Sequence, residues 1–155
     1  MAAEKIPPER LASWMRDEYR TLRSMMTVIK EHIATVPESE MDTWLDGLRS
    51  AQDRLHTHLA RVFEAQEQGG YMEHLLVVRP TLSREIDGLK REHAQLLNLS
   101  HNIRDALAGI DPADHLLAAD ASARLQRFMA VVNQHEQREN MITQLVLNEE
   151  HGSGD

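Results

Sequence analysis

At 155 residues, with 41% hydrophobic and 27% charged side chains, the chain fits one compact domain with a sizeable core and calls for no second. A formal net charge of −8, from 17 Lys and Arg against 25 Asp and Glu, argues against a broad basic surface for nucleic acid or acidic lipid. Cysteine is absent, which removes disulfides, thiolate metal sites and thiol nucleophiles together.

The amino terminus, MAAEKIPPER, has no apolar stretch of signal-peptide length, and no apolar run is long enough for a bilayer, so a cytoplasmic chain without a membrane or nucleic-acid partner is expected. Pro7 and Pro8 suit a helix start, and Leu11, Met15, Leu22, Met26, Ile29, Ile33 and Val36 keep a helical period up to Pro37. A second helix follows through Trp44, Leu48, Ala51, Leu55, Leu59 and Val62 and stops at Gly69–Gly70. YMEHLLVVR reads as a short apolar connector before Pro80. A third helix carries Leu82, Ile86, Leu89, Leu96, Ile103 and Leu107, with Gly109 as its stop. The fourth follows Asp111–Pro112 and contains a candidate break near Ala118–Asp120.

The expected helices are therefore roughly 8–36, 39–68, 81–108 and 112–148, with a frayed polar end, HGSGD. β-Branched and aromatic residues are sparse, and no period-two alternation persists. Four long helices with short links imply an all-α, antiparallel up-down-up-down bundle forming a single domain.

Polar residues on the apolar seams carry the chemistry. In the third helix His93 falls within the stripe Ile86, Leu89, Leu96, Ile103. In the fourth, His135 and Glu139 fall within Leu125, Phe128, Val132, Ile142 and Val146. A carboxylate in a bundle core is costly unless it is paired or binds a metal. Imidazole and carboxylate groups projecting from facing helices are how bundles build non-heme iron or manganese sites, and a His-x-x-x-Glu spacing presents both on one face.

HEQRENMITQLVLNEEHGSGD at 135–155 resembles the last-helix and tail signature of the hemerythrin-like (HHE cation-binding) family, and REHAQLL at 91–97 resembles its third-helix His motif. EAQEQGGYMEHL at 64–75 is similar to the carboxylate-rich end of the second helix and its Gly-Gly-Tyr exit. The resemblance spans roughly residues 10–155. It implies a di-iron centre held by His on the first helix, His-x-x-x-Glu on the second, one or two His on the third, and His with a carboxylate on the fourth.

Only part of that set is present. His93, His135 and Glu139 match, whereas Tyr19, Val62 and Gln66 stand at the positions where the resemblance implies His, His and the bridging Glu, and Leu97 replaces a second third-helix His. The set is too small for a normal di-iron centre, so one iron ion or none is expected. His93, His135 and Glu139 have the composition of a two-His-one-carboxylate iron triad. Tyr19 is a weaker candidate as a phenolate ligand, and His58, one turn before Val62, as another imidazole. The alternative is a metal-free hydrogen-bonded network of the same groups with Tyr19 and Gln66.

His101 with Asp105 reads as an exposed pair, Met25 and Met26 as core filler, and His32, His74, His115 and His151 lack a ligand constellation. No phosphate loop or nucleophile elbow occurs. Three functions follow: a non-enzymatic iron protein that binds or senses dioxygen, redox state or iron; a metal-free binding or regulatory module offering a helix face to a protein partner or a second copy; and, third, a mononuclear iron oxidase.

Overall fold

The computed structural model describes residues 5–152, and side chains up to 148. Its long helices are α1 (Leu11–Ile33), α2 (Met41–Gln68), α4 (Ser83–Ala108) and α5 (His115–Gly152), with a short α3 (Tyr71–Val78) between α2 and α4. α1 packs on α2, α2 on α4, α4 on α5, and α5 returns to α1, which closes a four-helix bundle. No helix among the described residues is long and apolar enough to cross a membrane.

The seams read from the sequence are the buried faces. Leu22, Ile29, Leu45, Leu48, Leu55, Leu59, Ile86, Leu107, Leu125 and Val132 are all fully enclosed. At about 25 cal/mol per Å² of apolar surface, this burial dominates the stability of the bundle. One end is fastened by His32 and Trp44, whose rings stack at 5.3 Å; His32 Nε2 lies 2.8 Å from the Trp44 carbonyl and Trp44 Nε1 donates to that of His32 at 3.1 Å. A Cβ added at Gly47 would sit 2.9 Å from the His32 ring, so the close approach of α1 and α2 here requires glycine.

Several boundaries differ from the sequence expectation. Pro8–Arg10 forms a 3-10 turn before α1, which stops at Ile33 rather than 36, in keeping with the aversion of a residue before proline to helical backbone. Residues 71–78 form a helix rather than a plain connector. Gly70, at φ 103°, turns the chain between α2 and α3, and Tyr71, Met72 and Leu75 are buried across the end of the bundle.

α5 begins at His115 rather than 112, because Asp111 folds its side chain onto the Ala113 amide at 2.8 Å and Asp114 then caps the helix by accepting from the Leu117 amide at 3.0 Å. The expected break at 118–120 is absent: this alanine-rich stretch has high helical propensity and contains neither Gly nor Pro. α5 continues to Gly152, past the expected 148, and residues 153–155 of the polar end lie outside the described residues.

Gly109 ends α4 with φ −94°, not in the left-handed conformation expected of a glycine stop. Beside the local contacts of the Gly109 and Ile110 amides on Ala106 O and Leu107 O, Arg49 of α2 donates from Nε to Leu107 O at 2.8 Å and from a terminal nitrogen to Ile110 O at 3.1 Å.

Candidate metal centre

α1, α2, α4 and α5 each send one or two polar side chains to a common point in the half of the bundle covered by α3. Glu139 of α5 is its centre and is 0% exposed. His93 Nε2 and His135 Nε2 lie 3.0 and 2.5 Å from Glu139 Oε1. On the other oxygen, Tyr19 OH donates at 2.6 Å and Gln66 Nε2 at 2.8 Å. The seam position of each residue dictates this convergence, since i and i+4 on α5 stack His135 over Glu139 on one face.

Two carboxylates complete the group from outside. Glu67 Oε2 lies 3.0 Å from His93 Nδ1, and Glu92 Oε1 lies 2.7 Å from His135 Nδ1 while accepting from Arg138 at 2.7 and 3.1 Å. Phe63 covers the imidazoles: its ring stacks on His93 at 3.9 Å and meets His135 edge-on at 5.4 Å. Thr143 anchors the next turn, donating to the Glu139 carbonyl at 2.8 Å and lying 2.6 Å from Tyr71 OH.

Electrostatics follow from these contacts. Burial pushes the Glu139 carboxyl up, but the hydrogen bonds from His135 and His93 outweigh it and hold the pKa at about 2. Burial likewise opposes the charged form of His135, and the Glu139 and Glu92 contacts reverse this, raising it above its ordinary 6.5. Burial and then the negative Glu139 push the Tyr19 phenol well above its ordinary 10.0, so it stays protonated and donates. Burial raises Glu92 too, yet Arg138 and His135 lower it on balance.

The donor set fits a metal ion. His93, His135 and Glu139 each offer a ligand atom, all within 4.8 Å of one another. Metal-binding imidazoles normally hand their second nitrogen to a carboxylate, which fixes ring orientation and tautomer, and both imidazoles here face a carboxylate with Nδ1. Gln66 Oε1 is buried beside the group without a hydrogen-bond partner among the described residues. A cation at the Nε2 side would take the place of the proton that His135 shares with Glu139.

Of the residues singled out in the sequence, Tyr19 and Gln66 reach Glu139 and join His93 and His135. Val62 is buried but lines a cavity on the outer side of α1 and α2. His58 does not join the group: its Nδ1 accepts from Arg61 at 2.9 Å, and its Nε2 lies 3.0 Å from Glu18 Oε2, off the line of a hydrogen bond. His101 and Asp105 form the expected exposed pair at 3.3 Å.

Glu67, Glu92 and Phe63 were not identified from the sequence. The available signal was position, since Glu92 precedes His93 and Glu67 follows Gln66, each one residue off the seam and so at its rim.

No curated protein and no solved structure gives a significant match to the chain. The family model described as the hemerythrin HHE cation binding domain matches residues 10–145, which contain every ligand candidate and all four long helices up to the last turns of α5. With an all-helical bundle and a His/Glu group at its centre, the chain is a member of the hemerythrin HHE cation-binding family.

Proposed function

We propose that this protein holds a single iron ion through His93 Nε2, His135 Nε2 and Glu139 Oε1, and acts as a non-enzymatic binder or sensor of a small ligand such as dioxygen, or of redox state. The observation that carries this reading is the pairing of convergence with support: the three donor atoms meet, and each imidazole is backed by its own carboxylate. Two imidazoles and one carboxylate form the donor set that suits non-heme Fe(II).

Bound iron would supply a one-electron redox couple and coordination positions that the protein leaves open. The chain supplies the rest. Glu67 and Glu92 orient the rings, Tyr19 and Gln66 hold the distal carboxylate oxygen, and Phe63 keeps water from the imidazole faces. A second ion lacks ligands, because Gln66 offers an amide where a bridging carboxylate would be needed.

A second reading, a metal-free bundle serving as a binding or regulatory module, is favoured by one specific feature: both oxygens of Glu139 already have two partners each. Metal analysis of protein purified with and without air separates the two. The expected result is about one iron per chain, lost in His135→Ala while the helical circular dichroism persists, and removable by chelation without unfolding. Two irons per chain would overturn the mononuclear site, and a parent protein that takes up no metal would leave the module reading.

A further inference from the structure

A cavity of about 430 Å³ lies on the outer side of α1 and α2, away from Glu139. The segment before α1 closes one side, held by the Ile6 amide on the Gly69 carbonyl at 2.8 Å and by Lys5 on Glu73 at 3.1 Å. Val62 and Ala65 of α2 line the cavity together with the half-buried indole of Trp14. Arg10 and Arg61 bring two guanidinium groups to the same space.

Both arginines are exposed, so their guanidinium groups are open to a ligand arriving from solvent. Among the described residues the Arg10 side chain has no hydrogen-bond or ion-pair partner, and Arg61 reaches only His58 Nδ1, at 2.9 Å. Glu18, which also lines the cavity, is drawn to the other side of His58, and Glu64 sits exposed at the rim.

We propose that this cavity binds a small aromatic carboxylate, its ring against Trp14 and Val62 and its carboxylate on Arg10 and Arg61. A guanidinium fork matches a carboxylate in two parallel hydrogen bonds, an indole face prefers a flat ring, and the volume falls within the range of small-molecule sites. The binding is independent of any metal.

The test is titration of the full-length protein, stripped of metal by chelator, with benzoate, acetate and benzyl alcohol, followed by tryptophan fluorescence. Trp14 reports on the cavity, and Trp44, stacked on His32 at the far end, does not. Benzoate should give a saturable change that disappears in Trp14→Phe and weakens roughly tenfold in Arg61→Gln or Arg10→Gln, the loss of one charge-assisted pair. Arg10 has no side-chain partner to lose, so its variant stays informative if Arg61→Gln disturbs His58. No saturable response to benzoate, an equal response to benzyl alcohol or acetate, or indifference to both arginine substitutions would overturn the proposal.

Discussion

Two of the buried polar groups that interrupt the apolar core among the described residues differ in kind. One joins all four long helices around Glu139; the other links α2 to α4 alone, where Gln52 Nε2 donates to Ser100 O and Oγ at 3.3 and 3.1 Å and Ser100 Oγ lies 2.7 Å from His56 Nδ1. The second is neutral. Burial and then nearby Arg104 lower the His56 pKa, which favours the uncharged ring, and among the described residues Gln52 Oε1 has no hydrogen-bond partner. Such a cluster costs little to bury and serves as a pin between two helices. The first places a charged carboxylate at zero exposure, which costs several kcal/mol unless partners or a cation compensate. Charge rather than polarity therefore distinguishes the candidate functional half of the core from the structural half.

The sharpest way to break this contrast is Glu139→Ala, which strips the acceptor from Tyr19, Gln66, His93 and His135 at once. It should lower the unfolding free energy by about 3–5 kcal/mol and abolish metal uptake, both measurable by urea titration and metal analysis of the same preparation.

pH separates the clusters next. Glu139, held at about 2, contributes stability that is present above its ordinary 4.5 and lost as pH falls towards 2. His135, raised above 6.5, contributes stability that is complete below 6.5 and lost as pH rises through its folded value. Chelated protein should thus melt highest between 4.5 and 6.5. Metal affinity should instead rise with pH, since the ion displaces a proton from His135. Melting curves with and without metal across this range test the crossing, and parallel pH profiles would count against it.

Smaller effects refine the comparison. Tyr19→Phe removes one hydrogen bond to a charged group and should cost about 1.5–3 kcal/mol while leaving metal content unchanged. Gln52→Leu should shift stability by under about 1.5 kcal/mol in either direction, because it removes an unsatisfied carbonyl together with a neutral donor, and metal uptake should not change.

Much of this was legible in the chain. His93, His135 and Glu139 announced themselves because a seam of Leu, Ile and Val makes a polar intruder conspicuous. Tyr19 came from resemblance, since a tyrosine on an apolar stripe is ordinary. Glu67 and Glu92 stayed hidden because partly exposed carboxylates one step off the seam look like any solvated face until the fold turns them inward. Val62 lies on the seam four residues before Gln66 and is buried in the core, and its edge also lines a neighbouring cavity. α3 was missed for a related reason: eight residues do not display a period, and only docking across the bundle end sustains so short a helix.

The arginine clasp at the end of α4 has a consequence for the order of assembly. The Leu107 and Ile110 carbonyls accept from Arg49 of another helix in addition to the local Gly109 and Ile110 amide contacts on Ala106 and Leu107, so the end of α4 is completed locally and then tightened by α2. The link between α4 and α5 is thereby tied to a residue 58 positions away in sequence, a long-range contact that closes only when α2 and α4 are already together.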